Sequence, residues 1–220
     1  MKKLILFGVG QMSEIAYSYF STDSKYTVVG FCVDKSHFKD DNYKNLPVVT
    51  FEDVENFFSI KTHCMFIPLA AKDSNRLREK KYLEAKSKGY ELVSYVSSKA
   101  TILPESNIGE NCFILENNTI QSFVEIGNNC VLWSGNHIGH HTKINDHCYL
   151  ASHVVVSGRV TIGTNCYLGV NSTIRDGINI ASGSVVGAGA LVMRSTIENG
   201  VYMGLPCKKI SMKSDVVDLP

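Results

Sequence analysis

The sequence lacks the features that define several large classes of protein. Its seven cysteines include no CxxC pair, which removes the redox and zinc-knuckle patterns and points to reduced thiols rather than a disulfide framework. No apolar run approaches the ~20 residues that a membrane span needs. The short apolar run after Lys2-Lys3 breaks at Gly8 and Gly10 with no small-residue cleavage site, so no secretory leader is expected. Charge is balanced, with 22 Lys and Arg against 21 Asp and Glu, and a large basic face for nucleic acid is therefore excluded. With 44% hydrophobic and 20% charged residues, the composition is that of an ordinary folded chain. The expectation is a cytoplasmic protein that engages neither nucleic acid nor membrane.

What is present is a period of six. From Ile102 to Val192 a branched aliphatic residue recurs at every sixth position without a miss, through Ile108, Ile114, Ile120, Ile126, Leu132, Ile138, Ile144, Leu150, Val156, Ile162, Leu168, Ile174, Ile180 and Val186. A helix repeats near 3.6 residues and a strand at 2, so a sustained six means a chain that turns a corner every six residues, as in a parallel β-helix. Three hexads close one coil of a three-sided prism, and residues 18 apart then stack. Cys112, Cys130, Cys148 and Cys166 form such a column, each where the crowded interior needs a small side chain. At ~4.8 Å per coil, roughly five coils give a prism about 24 Å tall. Gly and Asn fill the corners, as in Gly109-Glu110-Asn111-Cys112, where φ > 0 must be tolerated.

The first part of the chain reads differently. An apolar run from Lys3 to Val9 leads into Gly8-Val9-Gly10-Gln11-Met12-Ser13 and an amphipathic stretch through Phe20: strand, glycine turn, helix. Thr27 to Val33 is a second strand and ends at Asp34. Thr50 caps a helix whose buried face is Phe57 and Phe58, Met65 to Leu69 is a third strand, and Asp73-Ser74 opens a helix through Lys88 with Leu77, Tyr82, Leu83 and Ala85 as its apolar stripe. Glu91 to Val96 makes a fourth strand. The result is a small α/β sheet, about half of a dinucleotide-binding fold, which argues against an NAD-linked oxidoreductase. The glycine turn and Asp34 lie at the carboxyl edge, where open α/β sheets bind ligands; the third glycine position is Ser13. The expected organisation is a Rossmann-like domain at 1–98, a β-helix at 99–210 and a tail at 211–220.

Five histidines, His137, His140, His141, His147 and His153, cluster in the repeat. In the hexad register His141, His147 and His153 fall on three successive sides and point apart, so no metal site is expected from them. His37, His63 and His147 read as solvated residues. His140 sits on a protruding corner, where a neutral imidazole serves as a general base. Trp133, one place after an anchor, should point outward as a contact surface.

These residues resemble the left-handed β-helix (hexapeptide-repeat) bacterial sugar acetyltransferases, a family including sialic acid O-acetyltransferase-like proteins and nucleotide-linked 4-amino-sugar N-acetyltransferases. The resemblance rests on Gly8-Val9-Gly10 with Asp34, on Asn75-Arg76-Leu77-Arg78, on the hexads, and on Gly204-Leu205-Pro206-Cys207-Lys208. It implies a homotrimer that takes acetyl-CoA as co-substrate, needs no metal, and acetylates a nucleotide-linked amino sugar in bacterial surface glycan (lipopolysaccharide O-antigen) biosynthesis. It also implies His140 as the catalytic base, with His141, Asp146, Glu125 and His153 as supporting candidates. Tyr149, Gly158, Val170, Ala188 and Lys208 would contact acetyl-CoA; Gly8, Gly10, Gln11, Asp34, Lys35 and Leu69 would hold the sugar nucleotide. In some relatives an acidic residue follows the catalytic histidine, whereas His141 stands there in this chain. O-acetylation of a sialic acid or polysaccharide hydroxyl, or a non-catalytic helper that binds a sugar nucleotide, are the competing readings.

Overall fold

The computed structural model describes residues 3–205 and 207–213. Parallel strands β1 (Lys3–Phe7) and β2 (Thr27–Val33) flank α1 (Gln11–Thr22). The short β3 (Asn42–Tyr43) and β4 (Leu46–Thr50) form a hairpin, closed by Lys44 and Asn45 with φ of 51° and 61°. Two central residues in the left-handed region suit a tight hairpin turn. After α2 (Val54–Phe57) come β5 (His63–Phe66), α3 (Arg76–Ser87) and β6 (Glu91–Leu92), giving the sheet order β3-β4-β2-β1-β5-β6.

The remainder is a left-handed β-helix of two-residue strands stacked into three faces. Face 1 carries Tyr95–Val96, Phe113–Ile114, Val131–Leu132, Tyr149–Leu150, Tyr167–Leu168 and Val185–Val186. Face 2 runs from Thr101–Ile102 to Leu191–Val192 and face 3 from Asn107–Ile108 to Asn179–Ile180. The second residue of each strand is the hexad anchor, and the anchors from Ile114 to Val192 are buried in one column-filled core. Each corner places the third residue after its anchor in the left-handed region, as Asn111, Asn129, His141, His147 and His153 show with φ between 53° and 63°.

The cysteine column is more than filling. Cys112, Cys130, Cys148 and Cys166 are fully buried, and each Sγ donates to the carbonyl fifteen residues ahead, on Gly127, Asn145, Gly163 and Ala181, at 3.0–3.3 Å. Burial pushes the Cys112, Cys130 and Cys148 thiols well above their ordinary range, so they stay protonated and able to donate. These are weak bonds, repeated at each coil.

The outward residues decide which face is covered. Face 1 presents Tyr95, Phe113, Val131, Tyr149, Tyr167 and Val185, and the α/β domain packs onto it, with Phe66 in edge contact near 5 Å with both Phe20 and Phe113. Face 3 presents Asn107, Glu125, Lys143, Thr161 and Asn179 and stays open. Asp23, at the end of α1, accepts the Ser98 N–H at 2.9 Å, the Tyr95 hydroxyl at 2.8 Å and the Ser97 hydroxyl at 3.3 Å, bonds that lower its pKa to about 2.

Several elements differ from the sequence expectation. The run Glu91 to Val96 splits: Leu92 joins β5 while Tyr95 pairs with Phe113 on the prism, because both partners offer an apolar edge and only tertiary pairing chooses between them. The helix expected from Thr50 is one turn long, with Thr50 Oγ1 bonded to Asp53 and Phe57 exposed. On α3, Leu77 and Leu83 face solvent while Arg78, Lys81, Tyr82 and Ala85 are buried. Positions 78, 81, 82 and 85 are themselves one helical stripe, so charge concealed the inner face. Asp73, Ser74 and Asn75 enter the helix with positive φ. At the end of the chain Gly200–Gly204 and Cys207–Lys213 form an antiparallel hairpin on face 1, so residues 211–213 of the expected tail are strand; Pro206 and residues 214–220 lie outside the described residues.

Arg78 and His147 fasten the two halves. The fully buried Arg78 guanidinium lies over the Tyr149 ring and donates to the carbonyls of Leu69, Asn129 and Cys148 at 3.1–3.3 Å. An asparagine ladder runs beside it: Asn111 Oδ1 accepts the Ile67 N–H, Asn111 Nδ2 donates to Asn129 Oδ1, and Asn129 Nδ2 donates to His147 Nδ1 at 2.9 Å. His147 is therefore buried, contrary to its expected solvation, with Nε2 3.6 Å from Glu79 and its ring edge-on to Tyr82.

Two predictions follow from this packing. Replacing Cys148 with Phe overfills the column and lowers unfolding free energy by about 1–3 kcal/mol or more, measured by denaturant melts. Burial lowers the His147 pKa despite the opposing Glu79 carboxylate, so the unfolded chain binds that proton more readily than the folded one. The stability this contributes is present above the ordinary histidine pKa near ~6.5 and is lost as pH falls below it. His147→Asn, matching Asn111, Asn129 and Asn165 in the same column, flattens the decline in Tm between pH 7 and pH 5.

Candidate functional site

At the end of β1 the chain turns at Gly8, with φ of 92°. Ser13, in place of a third glycine, is buried and donates its hydroxyl to the Phe7 carbonyl at 2.9 Å, pinning the start of α1 to the end of β1. Gly10 caps α1 without a side-chain hydrogen bond, which leaves the first N–H groups of the helix available at the carboxyl edge of the sheet. A cleft of about 400 Å³ opens there, lined by Phe7, Gly8, Gly10, Asp34, Leu69, Leu77 and Lys81 among others.

Of the sequence candidates for this pocket, Gly8, Gly10, Asp34 and Leu69 line the cleft. Gln11 opens α1 and is exposed beside it. Lys35 is not among the lining residues, and its backbone N–H is bonded to the Glu52 carboxylate at 3.0 and 3.2 Å. Lys81 was not foreseen. Its Nζ lies 2.5 Å from Asp34 Oδ1 and 2.7 Å from Glu84 Oε2, above the rings of Phe7 and Phe51. Burial opposes its charge, but the bonds to Asp34 and Glu84 outweigh burial and raise its pKa. Asp34 thus enters the cleft with its charge already offset.

His140 lies on the vertex between faces 2 and 3, opposite the face that the α/β domain covers. Its backbone N–H is held by Gln121 Oε1 at 2.8 Å, and its Nδ1 is 3.1 Å from Nδ1 of His141. The Cε1 and Nε2 edge of the ring rests over Gly158, where a Cβ would come within 2.7 and 2.8 Å of those atoms. No carbonyl of the described residues accepts the Gly158 N–H. An imidazole and an unspent N–H therefore stand together on one exposed edge.

The supporting candidates separate by vertex. His141 touches His140. Asp146 is on the vertex between faces 3 and 1, accepting the Asn128 N–H at 2.7 Å, and Glu125 pairs with Lys143 at 3.3 Å on face 3. His153 is exposed on the vertex between faces 1 and 2, packed over Gly135. Within one chain Asp146 and His153 stand on vertices other than that of His140, because a six-residue step always moves to the next vertex, and Glu125 is engaged by Lys143.

Face 2 lies between His140 and Gly158 on one edge and Val170 and Ala188 on the other, and its outward Val155 and the edge residue Val170 are exposed. Tyr149 does not join this face: only 5% exposed, it is held by the Trp133 indole N–H and lies between Arg78 and Tyr167. The aromatic positions of face 1 are the ones buried between domains, and Trp133 is accordingly half-buried there rather than a free contact surface. Lys208 is exposed on the terminal hairpin, opposite Met203. Among the described residues no three potential ligands converge as a metal site, and no helix is long and apolar enough to cross a membrane.

Comparison with known proteins agrees with this architecture. Residues 105–139 and 123–158 match the profile of the bacterial transferase hexapeptide (six repeats), and residues 159–194 that of the hexapeptide repeat of succinyl-transferase. No curated protein matches the sequence significantly. Among solved structures, a histidine-to-asparagine variant of perosamine N-acetyltransferase from Caulobacter crescentus, in complex with CoA and GDP-perosamine, superposes with a TM-score of 0.85 at 21% identity, over 96% of this chain and 98% of that one. The acetyltransferase domain of PglB from Neisseria gonorrhoeae FA1090 gives 0.82 at 18% identity over 96% and 100% of the two chains. WeeI from Acinetobacter baumannii AYE gives 0.81 at 20% over 96% and 100%. Over nearly its whole length this chain therefore has the fold of the left-handed β-helix sugar acetyltransferases, with hexapeptide repeats matched through residues 105–194.

Proposed function

We propose that this protein is an acetyl-CoA-dependent N-acetyltransferase acting on a nucleotide-linked amino sugar destined for bacterial surface glycan. The observation that carries the reading is the pairing of His140 with the unspent Gly158 N–H beside an open face of the prism. His140 Nε2 takes a proton from the sugar amine as its nitrogen attacks the thioester carbonyl. Gly158 N–H stabilises the tetrahedral oxyanion. Collapse expels the CoA thiolate, and the imidazolium returns the proton to sulfur.

Acetyl-CoA lies along face 2, against Val170 and Ala188, with Lys208 placed to meet its phosphates; Tyr149 takes no part because it is sealed between the domains. The cleft at Gly8, Gly10, Asp34 and Leu69 holds the nucleotide, with the free N–H groups of α1 facing its phosphates. Relatives of this fold carry CoA and GDP-perosamine, which supports both ligand classes. In a single chain the cleft lies by face 1 and His140 on the opposite vertex, and they cannot meet. A homotrimer, in which the cleft of one subunit faces the vertex of the next, resolves this.

The test is an assay of thiol release from acetyl-CoA across UDP-, dTDP- and GDP-linked amino sugars. One of them is acetylated, and His140→Ala lowers kcat by about 10²-fold or more. Absence of transfer to any amino sugar, or full activity in the variant, overturns the reading.

A further inference from the structure

Phe123 stands out in the corner register. It occupies the left-handed position of its corner with φ of 66°, a conformation that a bulky residue rarely adopts. Asn and Gly fill equivalent positions at Asn111, Asn117, Asn129 and Gly135. Phe123 is also 48% exposed, so neither backbone preference nor burial accounts for it. What the ring touches is His141, stacked on it with centroids 4.6 Å apart and planes 28° apart. His141, itself left-handed at φ 58°, stands edge-on to His140 with the two Nδ1 atoms 3.1 Å apart.

Two nitrogens at that distance share one proton, and where it resides decides what His140 can do. If His140 carries it, Nδ1–H donates to His141 and Nε2, the edge over Gly158, keeps its lone pair. If His141 carries it, His140 must be protonated on Nε2 and has no base to offer there. We propose that Phe123 and His141 are positioning residues: the Phe123 ring holds neutral His141 so that its Nδ1 accepts the Nδ1–H of His140 and fixes the base-competent tautomer. This rests on the reading of His140 as the base. Other charges near the pair are already matched: Arg159, one coil above His141, is bound to Asp176 at 2.5 Å, and Lys143 to Glu125 on face 3. Gln121, which holds the His140 N–H, is neutral. Asp176 Oδ2 reaches the same glycine as the Cε1 and Nε2 edge of His140, and among the described residues no carboxylate is hydrogen-bonded to His140 Nδ1, whose partner is His141, so the neutral acceptor does the orienting that an acid would otherwise do.

The experiment uses the full chain with His140→Ala, His141→Ala, His141→Glu and Phe123→Asn. Long-range ¹H–¹⁵N imidazole spectra of the wild type show His140 protonated on Nδ1, and in His141→Ala the population moves toward Nε2–H. Phe123→Asn raises Tm, since Asn relieves the left-handed strain, yet lowers kcat roughly tenfold or more with KM for the nucleotide sugar unchanged. His141→Ala behaves likewise in kcat, and His141→Glu restores it. Wild-type His140 protonated on Nε2 overturns the proposal, as does unchanged kcat in Phe123→Asn or His141→Ala when His140→Ala is inactive. Full activity of His140→Ala would instead strike the base reading, and the tautomer spectra would still judge the contact between the two imidazoles.

Discussion

Everything in this molecule depends on a corner that must turn left-handed once every six residues. Each turn sends one aliphatic anchor inward and one residue outward, and places the third corner residue at positive φ. Asn and Gly meet that demand at little cost. His141, His147 and His153 meet it too, since histidine is among the residues enriched in this region, and each thereby acquires a fixed direction on a different vertex. The coil converts a position in the sequence into a bearing in space.

The same register explains how a small α/β domain can be rigidly docked. Face 1 offers aromatic side chains, and the domain buries against them both an apolar cluster that includes Phe20 and Phe66 and the polar side of α3. Arg78 is taken out of water without a carboxylate partner; three carbonyls and the Tyr149 ring offset part of the lost solvation, while its Nε finds no acceptor among the described residues. Removing a partner from such an arrangement leaves buried polar groups unmet, which is far more damaging than the loss of a surface pair. The asparagine ladder ending on His147 gives the interface a second, directional component. The cleft at Gly8 and Asp34 is thus held at a defined position relative to the prism.

The prism was legible because its period is strict: the anchors, the cysteine column and the divergence of the three corner histidines all read directly from spacing. The interface was less so. Lys81 and Arg78 were concealed because a helix rich in charge reads as solvated, although their phase with Tyr82 and Ala85 marks them as one face. The burial of His147 and Tyr149 was hidden for a related reason: hexads specify which residues point outward and do not say what lies over them. The composition of the outward positions carries that information, since aromatic Tyr95, Phe113, Tyr149 and Tyr167 mark face 1 while Glu125, Lys143 and Asn179 mark face 3. The division of Glu91 to Val96 between two sheets depends on tertiary pairing alone.

The central claim is that the nucleotide cleft and the base act together only across two copies of the chain. Gly10→Phe fills the cleft without backbone strain, because φ at Gly10 is −89° and a Cβ there meets nothing within 4 Å. His140→Ala removes the base. The deciding measurement is the acetyl-transfer rate of oligomers refolded from an equal mixture of these two inactive chains. If sites are shared between subunits, roughly one site in four regains both parts and activity returns to about that fraction of wild type; no recovery in the mixed oligomers would contradict the account.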